Sequence, residues 1–259
     1  MSHTNRLRRM PDTFRQLTGI TPAAFDELLA ELEPRYQQAD TKRKTRRTRQ
    51  RKPGAGRPFA RPLTDRLLML LMYYRTYTTH AFRGFLFGID DSSVCRNINP
   101  LRPLLAGIFR IPERRVEREP DEIRELFFDA TERAIPRPTR RQKRFYSGKK
   151  TRHTLKHQVV VVRTRKDPGR AGQRRRVRIA AVSKAFAGKT HDKKVYDTTG
   201  VVCPAGVPRT GDTGYLGVAE HGIGKMKVWR IAAERYRNPR RRHALIIKNV
   251  AGLHNLMYA

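Results

Sequence analysis

Leu126-Phe127-Phe128-Asp129-Ala130 is the stretch whose reading decides the fold. A short apolar run of this kind reads as a buried β-strand, and this one runs straight into a carboxylate. A carboxylate is costly to bury unless something binds it, which makes Asp129 the first candidate site residue. An Asp that ends a strand in an ordinary turn is the plain alternative.

Working outward toward the C-terminus, Gln158 to Val162 and Val177 to Val182 are further apolar runs, with the turn residues Asp167-Pro168-Gly169 between them. They read as an antiparallel pair. Arg137 to Lys156 holds nine Arg/Lys, plus His153, Phe145 and Tyr146, and reads as a basic loop. His191-Asp192 opens a short helical segment that stops near Gly200, with the acid as its cap. Val207 leads into Asp212 as a fourth short strand, and Glu220 opens a helical pattern with only seven residues between it and Asp212. Three or four strands followed by helices, with acids at strand ends, describe an α+β or α/β nuclease-like core over 121–259.

Toward the N-terminus the pattern is helical. Thr21-Pro22 followed by Phe25, Leu28, Leu29 and Leu32 predicts a capped amphipathic helix in the segment 1–40. From Lys42 to Lys52 eight of eleven residues are basic, so 41–62 reads as a linker or arm. Arg57, in a Gly/Pro context, either enters an AT-rich minor groove or contacts phosphate. Within 63–112, Leu67, Leu70, Leu71 and Tyr74 form one apolar face. Phe82, Phe85 and Leu86 form a second before Gly88, and Val94, Ile98, Leu101 and Leu105 a third, capped by Asp91 or Ser92. Helix, glycine turn and helix in that order give a helix-turn-helix, with Ser93, Arg96 and Asn97 facing outward to read the major groove. A three-helix bundle without a nucleic-acid role is the other reading. Pro100 argues against one straight helix through this stretch.

Composition narrows the partners. Lys+Arg 57 against Asp+Glu 23 leaves a formal charge of +34, the electrostatic footprint of phosphate binding. The longest apolar run, Leu67 to Tyr74, is eight residues where a membrane span needs about 20. Cys95 and Cys203 have no metal-binding spacing. We therefore expect a cytoplasmic, nucleoid-associated protein with no membrane role that binds double-stranded DNA, with a basic RNA binder as the alternative.

Asp129, Asp212 and Glu220 are scattered acids of the sort a fold gathers to hold hard cations. In-line cleavage of a phosphodiester uses two such ions about 4 Å apart. Phe128-Asp129-Ala130-Thr131-Glu132, Tyr146-Ser147-Gly148-Lys149-Lys150-Thr151-Arg152-His153-Thr154-Leu155-Lys156, His191-Asp192, Gly211-Asp212-Thr213-Gly214-Tyr215 and Glu220-His221-Gly222-Ile223-Gly224-Lys225-Met226-Lys227 together resemble the DDE transposases of bacterial insertion sequences, from about Leu17 onward. The resemblance implies an N-terminal helix-turn-helix and a ribonuclease-H-like mixed-sheet catalytic domain, shortened here. It implies Asp129, Asp212 and Glu220 as catalytic ligands of two Mg²⁺ or Mn²⁺ ions. It also implies DNA contacts from Lys149, Lys150, Arg152, His153, Lys156 and Lys227, and a homodimer or larger assembly in synapsis.

In that family several tens of residues separate the second Asp from the Glu. Thr213 and Leu216 stand where a Tyr and an Arg belong; Lys227 is in place. We read the short spacing as an internal deletion with its junction near Gly217 to Ala219. The expectation is impaired or absent strand transfer with DNA binding kept. On that reading the chain acts either as a transposase or as a non-enzymatic DNA-binding inhibitor of intact copies.

Overall fold

The structure is a computed structural model that describes residues 2–45, 61–165, 177–210 and 216–257, with the side chains of 216–221 outside the description. The Asp167-Pro168-Gly169 turn and Arg57 lie outside the described residues. The chain forms two compact units, Met1–Ile108 and Phe109–Ala259.

The first unit is helical: α1 (His3–Arg8), α2 (Pro11–Thr18), α3 (Pro22–Thr45), α4 (Leu63–Thr76), α5 (His80–Phe87), α6 (Asp91–Ile98) and α7 (Leu101–Phe109), the last reaching the boundary. Thr21 caps α3 as expected, its hydroxyl accepting from Ala24 N at 3.2 Å. The helix runs further than expected, into the basic stretch to Thr45. Its last turn is basic, and cations there complement the exposed carbonyl end of a helix.

α4 is buried on every side from Asp65 to Tyr74, not on one face. It is therefore the central helix, and α1, α2, α3 and α6 pack around it. Asp65 accepts from Thr4 N at 3.0 Å and from Thr4 Oγ1 at 2.7 Å, joining α4 to α1. Arg66, also buried, donates to Tyr36 Oη of α3 at 2.8 Å and to Asn97 O of α6 at 3.3 Å.

The helix-turn-helix forms where expected, with two corrections to its faces. Gly88, left-handed at φ 59°, ends α5, and Asp90 rather than Asp91 or Ser92 caps α6 by accepting from Ser93 N at 2.7 Å. The Ser92 and Ser93 hydroxyls and the Ser93 amide hold the Asp90 carboxyl well below the usual range. Val94, Ile98, Leu101 and Leu105 are fully buried as read, and the helix divides at Asn99-Pro100. On α5 the apolar face is inverted: Phe82 and Leu86 are exposed and Phe85 is 85% exposed, while Arg83, Gly84 and Phe87 are buried.

The second unit is built on one mixed sheet. Its strands are β1 (Ile123–Ala134), β2 (Tyr146–Ser147), β3 (Arg152–Thr164), β4 (Arg178–Val182), β5 (Phe186–Ala187) and β6 (Arg209–Thr210). β3 pairs antiparallel with β1 along nearly its whole length, from Ala134↔Thr154 to Ile123↔Thr164. β2, β4 and β5 pair antiparallel with the other side of β3. β6 joins the free side of β1 in parallel.

An antiparallel run of strands with a parallel strand added beside the first is the ribonuclease-H-like arrangement, so the chain is α+β with a helical helix-turn-helix region before a mixed sheet. The basic region read as a loop is more structured than expected. It contains α8 (Gln142–Phe145), β2 and the start of β3, with β2 and β3 closed into a hairpin by the pairs Tyr146↔His153 and Ser147↔Arg152.

One face of the sheet buries Ile123, Leu126, Phe128, Val160, Val162 and Val207 in an apolar core. α9 (Asp192–Thr199) packs on β3. Side chains alternate along a strand, so the opposite face carries Phe127, Asp129, Val159 and Val161. α10 (Leu216–Lys227) packs on β1 and β3, and α12 (His243–Leu256) packs on β4 and α10; the short α11 (Arg230–Ala233) lies between them in sequence. Asn255 of α12 accepts from Ile179 N at 2.8 Å and donates to Ile179 O at 2.8 Å, which satisfies the outer edge of β4 as a strand would.

Candidate active site

Asp129 is held mid-strand by its apolar neighbours: Leu126, Phe127 and Phe128 are buried, and the antiparallel partner across from Asp129 is Val159. The carboxylate is half-buried, and its Oδ1 accepts from Ala130 N at 2.6 Å. It does not end the strand, which continues five residues further to Ala134. A carboxylate in the interior of an apolar strand is costly to bury unless something binds it.

The parallel partner brings the second acid's neighbourhood alongside. Leu126 is in register with Arg209, and Phe127 with Thr210. Thr210 Oγ1 donates to Glu125 Oε1 at 2.6 Å, and Arg163 lies 3.6 Å from Glu125 Oε2, so polar contacts fix β6 against β1. Asp129 follows Phe127 by two residues and Asp212 follows Thr210 by two. Asp212 itself lies outside the described residues.

Glu220 lies on the backbone of α10, and its side chain, too, lies outside the description. The next turn docks closely. Gly222 sits on Val161, so close that a methyl there would come within 3.1 Å of Val161 Cγ2, while Ile223 and Met226 are buried. Val161 is two residues from Val159 on β3, so α10 covers the sheet face that carries Asp129. Lys227, seven residues after Glu220 and thus about two turns on, is exposed.

Across β1, Lys156 is buried. Its Nζ lies 3.0 Å from Asp192 Oδ1 and 3.8 Å from Glu132 Oε2, and Thr154 Oγ1 donates to Glu132 Oε1. A lysine held between two carboxylates is an internal ion pair before it is a DNA contact, which corrects the sequence reading of its surroundings. The cap of α9 is corrected as well: His191 Nδ1, not Asp192, accepts from Lys193 N, at 3.3 Å.

A buried pair that the sequence reading missed lies beneath α12. His157, opposite Thr131, donates through Nδ1 to Ser183 O at 2.8 Å, leaving Nε2 to accept from His243 Nδ1 at 2.6 Å. The rings are stacked 4.8 Å apart, and the Tyr236 ring abuts His243 edge-on. Burial pushes His157 down to about 4 and His243 well below its ordinary value, so both are neutral. Two histidines separated by 86 residues give no local sequence signal.

The remaining DNA candidates divide by exposure. Lys149, Lys150 and Arg152 are exposed on the β2–β3 hairpin, and His153 is half-buried with its ring 5.6 Å from that of Tyr146. On α6, Arg96 is exposed and donates to Ser93 Oγ at 2.9 Å. Asn97 does not face outward: it is buried, and its amide donates to Ser93 O at 2.7 Å, satisfying the helix interior. Among the described residues no group of three or more His, Cys, Asp or Glu could hold a metal ion. Nor is any helix long and apolar enough to cross a membrane.

The chain thus combines a helix-turn-helix with a ribonuclease-H-like mixed sheet that carries a carboxylate within its first strand. Comparison with known families matches residues 62–111 to the helix-turn-helix of DDE superfamily endonuclease and residues 128–217 to DDE superfamily endonuclease. A protein of Microchaete diplosiphon named as a transposase for insertion sequence element IS702 is 25% identical over 93% of both chains. A protein of Streptomyces albus G named as a transposase for insertion sequence element IS112 is 26% identical over 95% of both. No solved structure matches. The chain belongs to the DDE superfamily endonucleases, the transposases of insertion sequences.

Proposed function

We propose that this chain binds the ends of an insertion sequence through its helix-turn-helix and cleaves and joins DNA there with Asp129, Asp212 and Glu220. The observation that carries the reading is the β1–β6 register: each Asp follows by two residues a member of one parallel pair. The helix bearing Glu220 is docked on the face that carries Asp129. The donor set fits a hard divalent cation, since all three are carboxylates and the one described is half-buried in an apolar strand. Asp129, Asp212 and Glu220 would hold Mg²⁺ or Mn²⁺, which when bound supplies charge stabilisation at the scissile phosphate.

In this reading the rest of the chain orients the DNA. Asp129 is fixed on a rigid strand, with its Oδ1 held by the Ala130 amide. Lys227, Lys149, Lys150 and Arg152 hold phosphates, and Arg57, Ser93 and Arg96 serve recognition. Synapsis of two ends requires at least a dimer. The domain reading carried forward is a helical start at 1–40, an arm at 41–62, the helix-turn-helix at 63–112 and the catalytic domain from 121.

A second reading, a DNA-binding inhibitor without activity, is favoured by one observation. The alignment with the IS702 relative extends over 284 positions, more than the 259 residues of this chain, so the relative has residues for which this chain has none. Cleavage of a labelled element-end duplex in Mg²⁺ separates the two. Cutting that disappears in Asp129→Asn supports the enzyme; binding without cutting supports the inhibitor.

A further inference from the structure

We propose that Asp91 of α6 is a specificity-determining residue, whose carboxylate accepts a hydrogen bond from the 4-amino group of a cytosine in the major groove, close to a guanine held by Arg96. This role rests on the reading above that the helix-turn-helix binds duplex DNA. What it adds is the side chain that chooses the sequence.

The face that α6 offers to DNA is fixed by what it buries. Val94, Asn97 and Ile98 are buried, so Asp91, Ser92, Cys95, Arg96 and Asn99 form the stripe on the other side of the helix. Most polar groups of that stripe already have partners. Ser92 Oγ donates to Asp90 Oδ1 at 2.5 Å, and Asn99 Nδ2 donates to Cys95 Sγ at 2.8 Å. Ser93, half-buried beside the stripe, donates through its hydroxyl to Asp90 Oδ2 at 2.6 Å and accepts from Arg96 at 2.9 Å. It therefore serves recognition by bracing the guanidinium, which also lies 3.6 Å from Asp90 Oδ1. Asp91 differs from all of these. It is exposed, and among the described residues its carboxylate has no hydrogen bond or ion pair.

In a chain with a formal charge of +34, a carboxylate without a partner on the reading face opposes DNA binding, because it repels phosphate. One base relieves that cost. Cytosine presents a 4-amino donor on its major-groove edge and no acceptor of its own. Guanine presents N7 and O6, thymine presents O4, and adenine sets N7 beside its amine, each an acceptor that repels a carboxylate. Asp91 selects cytosine as much by rejecting the other three bases as by binding it. Arg96 supplies the attraction, since a guanidinium matches N7 and O6 of guanine. The two side chains stand on one helix face with a rise of about 7.5 Å between them, so their bases lie about two base-pair steps apart.

The test uses the full chain and a pool of duplexes with a randomised core. Sequences are selected by the wild type, Asp91→Ala, Asp91→Asn and Arg96→Ala at one physiological salt concentration, and single-base-pair variants of the wild-type choice are titrated by fluorescence anisotropy. The wild type should fix a cytosine about two steps from a guanine, and replacing that cytosine pair should weaken binding at least about fivefold. In Asp91→Ala all four bases should bind at that position within about twofold, while affinity for the unselected pool rises because a negative charge has left the interface. Asp91→Asn should change the fixed base from cytosine to adenine, whose N6 and N7 an amide matches. Arg96→Ala should lose the guanine and keep the cytosine. Asp91 is exposed and Asp90 is the cap of α6, so a merely structural role at 91 would not exchange one base for another. The same selected sequence from the wild type and Asp91→Ala, or an Asp91→Asn that weakens binding without changing the base, overturns the role of Asp91. A wild type that binds every duplex alike overturns it too and leaves DNA binding standing. A wild type that binds no duplex is a separate outcome, which sinks the helix-turn-helix reading and this role together.

Discussion

The helical unit and the sheet unit bury their ionisable groups by different mixtures of means. In the first, arginines are core residues. Arg83 is 1% exposed with its guanidinium 4.2 Å from the Tyr73 ring centroid, Arg102 lies 5.3 Å from the same ring, and Arg66 lies 4.7 Å from that of Tyr36. In the second, the large apolar core is aliphatic, and its most deeply buried titratable groups are the neutral His157–His243 pair. A guanidinium stacked on tyrosines keeps its charge and its hydrogen bonds in a small helical core. The sheet unit mixes three devices: Arg133, 4% exposed, lies 5.1 Å from the Tyr236 ring, Lys156 is held between Glu132 and Asp192, and the histidine pair gives up its charge.

The largest effect that would sharpen this contrast is functional. Asp129→Asn should lower Mg²⁺-dependent cleavage by on the order of 10³-fold or more. Duplex binding through the helical unit, measured by gel shift, should stay within about twofold. Equal loss of both would mean that the two units do not divide recognition from chemistry.

Next is the arginine core. Arg83→Ala removes the stack on Tyr73 and the bonds to Thr78 Oγ1 and His80 Nδ1, both 2.8 Å, and should cost about 3–4 kcal/mol in urea unfolding of the helical unit. Arg83→Lys should recover little, since an ammonium cannot stack. Full rescue by lysine would show that only charge matters there.

Acid should separate the units by roughly 2–3 kcal/mol. His157 titrates near 4 in the fold against 6.5 in the unfolded chain, and His243 is shifted the same way. Between those values the unfolded state binds more protons, so this contribution is complete above about 6.5 and is lost as pH falls toward 4. In the helical unit Asp90 is lowered as well, but its contribution holds above the unfolded value of 3.8 and disappears only as the solution becomes more acidic than that. Tryptophan fluorescence from Trp229, which lies in the sheet unit, should show a melting temperature that drops from pH 7 to pH 5. A flat profile, or the same drop in His157→Gln, would remove the histidine pair from the account.

The smallest effect is at the inverted face of α5. Phe85→Ala should change stability by less than about 0.5 kcal/mol, whereas Phe87→Ala should cost about 3 kcal/mol, both read from urea midpoints. A large loss at Phe85 would restore the apolar face that periodicity implied.

These cases show why some of the molecule was legible in sequence and some was not. Val94, Ile98, Leu101 and Leu105 could be read because aliphatic residues at helical spacing have one low-energy place to go. β1 and β3 were placed by their apolar centres, but their polar ends were missed, since Thr154 and Lys156 continue a strand that hydrophobicity alone would stop. α5 was misread because the burial of Arg83 depends on Tyr73, ten residues earlier, and no local pattern records that partner. Asp129 was legible as a carboxylate in an apolar run. The ion pairs of Lys156 were not, because they exist only once β1, β3 and α9 are brought together.

Gly222 sets how closely α10 can approach the sheet. Its missing side chain lets α10 rest directly on the Val161 methyls, so the sheet surface is the seat that sets the helix's height. A side chain at 222 would lift α10 off the face that carries Asp129.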